Sequence, residues 1–191
     1  MRTFLAVAAG TAIVCACDRR PIDATAALPA PGSRVPTFSL PATDGDRRFT
    51  EQVLHGRPAV IALWSIHCPF QGPAMAAFDS LAQEFRSTGV QFVLLTDDAP
   101  GRGLDSALQH AAWRASVDRI GIASGGLARL FDQSATGSHA HPYRAEFVLP
   151  SFLLIDRQGT VVRRAFGPAA AVFRQPLDSL VTIAATEPAA T

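Results

Sequence analysis

The segment Val60-Ile61-Ala62-Leu63-Trp64-Ser65-Ile66-His67-Cys68-Pro69-Phe70-Gln71 constrains this chain more than any other. Its first five residues form an unbroken apolar run of strand length, the pattern of a strand buried on both faces of a sheet. A short loop then delivers Cys68 and Pro69 to a segment in which Phe78, Leu81, Ala82 and Phe85 recur at helical spacing, so a helix runs to about Arg86 and ends near Gly89. A helix N-terminus presents unpaired N–H groups and the positive end of the macrodipole, and so favours the thiolate of a cysteine placed there.

At 191 residues the chain suits one domain of about 150 residues with extensions. Its net charge of +1 and scattered arginines point away from a nucleic-acid surface. Residues 1–17 read as a targeting segment: Arg2 gives a positive start, and Phe4 to Val14 is an apolar run too short for a comfortable membrane span. The run ends in Val14-Cys15-Ala16-Cys17, which resembles a bacterial lipobox with Cys17 as the lipidated residue; Cys15 as acceptor or a plain secretory signal are the alternatives. Asp18, directly after the acceptor, resembles an inner-membrane retention signal. The expectation is a protein anchored by lipid at the periplasmic face of the bacterial inner membrane, each buried methylene contributing about 0.8 kcal/mol to the anchor.

Three cysteines are present. With Cys15 removed and Cys17 lipidated, Cys68 is the one free thiol of the mature protein, and an internal disulfide is excluded on that reading. In an oxidising compartment such a cysteine is either buried and inert or exposed and reactive.

Residues 18–34 are Pro/Ala-rich and lack periodicity, as in a flexible tether. The domain is expected over 35–185, with 186–191 a disordered tail. Val35 to Leu40 is an extended piece closed by the turn Thr43-Asp44-Gly45-Asp46, and Thr50 caps a short helix, Glu51 to His55, that stops at Gly56. Strands are expected at Pro58 to Trp64, Val90 to Thr96 and Val117 to Ile122, with a helix from Leu104 to Ala115 and a short one from Ser124 to Phe131. Ser134 to Arg144 is a polar loop. Phe147 to Ile155 and Thr160 to Phe166 form a hairpin across Asp156-Arg157-Gln158-Gly159, and Leu177 to Ala185 is a closing helix. These elements spell an α/β fold, a central mixed sheet with helices on both faces.

The residues resemble the thioredoxin-like superfamily, and within it the TlpA/ResA-like group of membrane-anchored thiol-disulfide proteins. The resemblance rests on Pro36-x-Phe38-x-Leu40, Leu54-x-Gly56-x-Pro58, Leu63-Trp64-Ser65-x-x-Cys68-Pro69 and Leu149-Pro150-Ser151-Phe152-Leu153-Leu154-Ile155-Asp156-x-x-Gly159. It implies that Pro150 is cis and that its loop faces the active cysteine. The chain departs from the group around the site: Gln71 stands for the second cysteine, Ala74 for a buried glutamate that helps move protons, and Ala76 for a helix proline. His67 stands where many relatives carry tryptophan. Because Pro73 lacks an N–H, helix onset is expected to slip toward it.

Thiol–disulfide exchange needs an attacking thiolate and a second thiol to resolve the mixed disulfide. Cys68 supplies the first and nothing at position 71 supplies the second, so the expected activity is monothiol exchange with protein thiols or disulfides or with a low-molecular-weight thiol. Trp64, His67, Pro69, Gln71 and Pro150 are the active-site neighbours, His67 as imidazolium favouring the thiolate. Two alternatives stand beside it. One is a binding module without redox turnover, using the groove beside Pro150. The other is a one-cysteine peroxidase on Ser65-x-x-Cys68. Asp97 and Asp98 are expected to cap the loop that follows them. His139 and His141 are read as solvated loop residues, so no metal and no cofactor is expected, and the oligomeric state stays open.

Overall fold

The computed structural model describes residues 28–43, 45–68, 71–124, 130, 149–167 and 172–186, with the backbone alone for 45–47 and 184–186. Among the described residues seven strands form one sheet: β1 (Ser39–Ala42), β2 (Gly45–Thr50), β3 (Ala59–Trp64), β4 (Gln91–Thr96), β5 (Arg119–Ile122), β6 (Ser151–Ile155) and β7 (Val161–Phe166). Their order is β2-β1-β5-β4-β3-β6-β7. β3 pairs in parallel with β4, and β4 with β5, whereas β6 lies antiparallel to β3 and β7 antiparallel to β6. The sheet is therefore mixed, and β3, which leads into Cys68, lies inside it.

The apolar composition of β3, β4 and β6 follows from that placement, since every residue of the three is buried. Alternation sends Val60, Ala62 and Trp64 to one face and Ala59, Ile61 and Leu63 to the other. The first face meets the helices α1 (Gln71–Glu84), α2 (Arg102–His110) and α3 (Arg174–Thr186), through Phe78, Leu81, Leu104 and Leu177 among others. The second is covered by Leu28, Phe38, Phe49, the 3₁₀ turn Glu51–Leu54 and the helical residue Leu130. The expected α/β thioredoxin-like architecture is what forms.

Several elements differ in extent from the expectation. β2 is a full strand, paired Ser39 to Thr50 and Leu40 to Phe49, where the sequence suggested only the end of a turn. Its polar residues Asp46, Arg47 and Arg48 hide the pattern, but Phe49 is buried and stacks on Phe38 at 5.6 Å. Thr50 makes no side-chain cap; the neighbouring Glu51 carboxylate instead accepts the Phe38 N–H at 3.0 Å. The described part of α1 begins at Gln71, not Pro73. Pro73 falls in the first turn, where an N–H would have no intrahelical partner, so the missing donor costs nothing.

The helix expected from Leu104 to Ala115 ends at His110, followed by a 3₁₀ turn, Ala112–Ser116. At roughly 100° per residue a continuous helix would turn Trp113 away from the Leu104 and Leu108 face. The break at Ala111 returns Trp113 to the core, edge-on to Trp64 at 5.3 Å. α3 begins at Arg174, before the expected Leu177, and the Arg174 guanidinium is held on Glu84 of α1 by contacts of 2.7–2.9 Å.

Gly121 shows how closely the second face is packed. A Cβ there would stand 2.8 Å from Leu95 Cδ2 and 3.2 Å from Phe49 Cδ1. Gly121→Ala should lower stability by about 1–3 kcal/mol through overpacking. Urea denaturation reads this directly, and an unchanged midpoint would contradict the packing described.

Candidate active site

The carboxyl ends of β3 and β4 lie side by side, because the two strands run parallel with Trp64 in register with Thr96. The loop Ser65–Cys68 leaves β3 at that edge and turns at once: the Cys68 N–H donates to the Ser65 carbonyl at 3.1 Å, and the Gln71 N–H to the Cys68 carbonyl at 3.4 Å. Cys68 is thus carried on consecutive turns into α1, as the sequence suggested. It is a free cysteine with 7% of its surface exposed.

Cys68 Sγ donates to the Leu149 carbonyl oxygen at 2.7 Å. Leu149-Pro150 is a cis peptide, as the resemblance implied, and the Pro150 carbonyl accepts the Gly167 N–H at 3.0 Å. The start of β6 and the end of β7 therefore hold the peptide that faces the thiol. The hydrogen bond is one that only the thiol form of Cys68 can donate.

Gln71, at the position of the expected second cysteine, is engaged rather than idle. Its Oε1 accepts the Trp64 indole N–H at 3.0 Å, and its Nε2 lies 3.5 Å from the Ile66 carbonyl, a long contact. Trp64 is 2% exposed, so its N–H needs a protein partner, and Gln71 is that partner. Ala74 is fully buried in the apolar core beneath the site, so α1 brings no carboxylate there.

His67 does not face the thiol through any described contact. Its Nε2 lies 3.8 Å from Asp98 Oδ1, and its side chain is 83% exposed, a geometry in which solvent screens most of the attraction. Pro69, Phe70, Cys17, His139 and His141 lie outside the described residues, as do the short helix and polar loop expected over 124–144 apart from Ser124 and Leu130. Among the described residues no group of three or more His, Cys, Asp or Glu could hold a metal ion, and no helix is long and apolar enough to cross a membrane.

The residue that sequence reasoning misplaced is Asp98. It caps the Cys68 loop, not the loop that follows it. Its Oδ1 accepts the Ser65 hydroxyl at 2.9 Å, and its Oδ2 accepts the Ile66 N–H at 2.9 Å and the Thr96 hydroxyl at 2.6 Å. The available signal was its position: a carboxylate just past a parallel strand adjacent to the strand that delivers the cysteine lies in the crevice outside the strand ends.

Set against known proteins, residues 31–164 match the model of the AhpC/TSA family. No curated protein matches the sequence. Among solved structures, a thioredoxin-family thiol:disulfide interchange protein from Chlorobium tepidum is 18% identical, with a TM-score of 0.58 over 80% of this chain and 99% of that chain. The thioredoxin domain of a thiol-disulfide oxidoreductase from Bacteroides vulgatus is 12% identical, with a TM-score of 0.61 over 80% and 99% of the two chains. A thiol:disulfide interchange protein from Bacteroides sp. is 13% identical, with a TM-score of 0.58 over 79% and 90%. At such identities the likeness is one of fold. The family match spans well over half of the sequence and includes the Cys68 loop, so the chain belongs to the AhpC/TSA family, on a thioredoxin-like scaffold.

Proposed function

We propose that this protein is a lipid-anchored, periplasm-facing monothiol protein in which Cys68 exchanges with disulfides through mixed-disulfide intermediates. One observation carries the reading: Cys68 Sγ sits against the carbonyl of the cis Leu149-Pro150 peptide, while Gln71, where a resolving sulfur would stand, is bonded to Trp64. In the first step the Cys68 thiolate attacks one sulfur of a disulfide. A bond forms between Sγ and that sulfur, the original S–S bond breaks, and the other half leaves as a thiolate. An external thiolate then attacks the mixed disulfide at the substrate sulfur and releases Cys68 as thiolate. The external thiol leaves joined to the substrate sulfur in a new disulfide, a second external thiolate attacking that disulfide completes the two-electron reduction, and no second cysteine of this chain takes part.

The substrates fitting this chemistry are protein disulfides and low-molecular-weight disulfides such as that of glutathione. Incubation of the chain with glutathione disulfide should give a stable adduct at Cys68, seen by peptide mass spectrometry, and Cys68→Ser should remove it. If Cys68 takes no adduct yet dilute peroxide oxidises it rapidly to the sulfenic acid, the peroxidase reading replaces this one. The site gives that alternative little support, because the Ser65 hydroxyl is spent on Asp98 and Sγ is bonded to a carbonyl.

The burial of Cys68 and the apolar Ala74 beneath it favour a second reading, a binding module without turnover. A Cys68→Ser protein that keeps its cellular role would establish it. The anchor is tested separately: labelled palmitate should enter the wild-type protein in bacterial cells and not the Cys17→Ser variant. Incorporation unaffected by that change would remove Cys17 as the lipid site.

A further inference from the structure

We propose that Asp98 is the positioning residue of the Cys68 loop, holding it through hydrogen bonds rather than acting as a proton carrier. The inference rests on the reading of Cys68 as the reactive group. Asp98 is 7% exposed and lies just beyond β4, far in sequence from the loop it holds. Each residue from Ser65 to Cys68 traces back to it. The Ser65 hydroxyl and the Ile66 N–H donate directly to its two oxygens. The His67 N–H donates to that same Ser65 hydroxyl at 3.2 Å, and the Cys68 N–H donates to the Ser65 carbonyl. Fixing Ser65 and Ile66 therefore fixes the direction in which the chain presents Sγ.

The hydrogen-bond inventory separates positioning from proton transfer. A carboxylate is acceptor-only and has about four lone-pair sites. Here three are taken by Ser65, Ile66 and Thr96, and the remaining side of Oδ1 faces His67 Nε2 at 3.8 Å. A proton placed on either oxygen would meet a donor already there, and the Ile66 N–H cannot reverse its role. The hydroxyls of Ser65 and Thr96 can. An asparagine at position 98 would still accept the Ile66 N–H with its one oxygen and donate its NH₂ toward Ser65, whereas alanine would take away the partner of the half-buried Ile66 N–H. Positioning through hydrogen bonds thus predicts that asparagine rescues what alanine loses.

The test uses the full chain, its Asp98→Ala and Asp98→Asn variants, and Ser65→Ala as a milder change should Asp98→Ala fail to fold. Two quantities are followed: the rate of glutathione-disulfide adduct formation at Cys68, resolved by peptide from Cys15 and Cys17, and hydrogen exchange at the Ile66 amide. Asp98→Ala should slow adduct formation about tenfold and deprotect Ile66 by about as much, the scale expected for losing a hydrogen bond to a charged group. Asp98→Asn should stay within about threefold of wild type on both, and the β3 amides of Ile61 and Leu63 should keep their protection in every folded variant. Ser65→Ala should slow the adduct less than Asp98→Ala and leave Ile66 protected.

Wild-type rates in a folded Asp98→Ala variant overturn the proposal, as does an asparagine variant as impaired as alanine, since charge and not hydrogen bonding would then carry the effect. If wild-type Cys68 forms no adduct, the reading of Cys68 fails on its own, and the exchange of Ile66 still decides whether Asp98 holds the loop.

Discussion

Replacing Gln71 by cysteine is expected to abolish the mixed disulfide that the wild-type protein accumulates with glutathione disulfide. Cys68 and position 71 are joined by an i to i+3 hydrogen bond at the start of α1. That turn brings the two positions together, so a sulfur at 71 is expected within reach of the mixed disulfide on Cys68. The introduced thiolate would attack Cys68 Sγ, form an internal disulfide with it and release glutathione as thiolate. The wild-type chain should show the adduct on intact mass analysis until a thiol is added; the variant should show the internal disulfide and at most a trace of adduct. The variant also loses the Gln71 bond to the buried Trp64 indole, so its reduced form should be less stable than wild type by about 1–3 kcal/mol. An adduct as persistent in Gln71→Cys as in wild type would mean that the Cys68 loop does not present Sγ toward α1.

The largest loss of stability is expected from Phe78→Ala. Phe78 is fully buried on α1, with its ring 5.6 Å from that of Phe92 on β4 and 5.8 Å from that of Phe152 on β6. It joins the helix that begins at the active site to two inner strands of the sheet. Truncation removes the aromatic contacts and leaves a cavity that rigid strands cannot close, which typically costs about 3–5 kcal/mol. Urea denaturation followed by far-UV circular dichroism measures it. A loss below about 1 kcal/mol would mean that α1 is not held on the sheet through this residue.

What could be read from the sequence and what could not divide along physical lines. β3, β4 and β6 announce themselves because strands buried on both faces carry near-continuous apolar runs, and α1 does so because Phe78, Leu81, Ala82 and Phe85 share one face. β2 did not, because an edge strand exposes polar residues and only Phe49 betrays it. The break after α2 was hidden for another reason: Leu104, Leu108 and Ala111 alone are consistent with a continuous helix, and it is the break that lets Trp113 meet Trp64.

At the site, Cys68 and Pro150 were legible from local chemistry and resemblance. The partnership of Gln71 with Trp64 and of Asp98 with Ser65 and Ile66 was not, since each joins residues whose proximity the fold alone creates. The absence of a cysteine at 71 reads in sequence as a loss. In the structure that position is filled by a side chain with its own hydrogen bonds. Gln71 ties the start of α1 to the end of β3 through Trp64, and Asp98 at the end of β4 holds the Cys68 loop through Ser65 and Ile66.

The most direct measurement of the central claim is the rate at which glutathione disulfide modifies Cys68 in the folded chain, compared with the same residue in the urea-unfolded chain. The account predicts modification of the folded protein at least as fast as of the unfolded one, giving an adduct that persists until a thiol is supplied. Modification confined to the unfolded chain would contradict it and leave Cys68 a buried core cysteine.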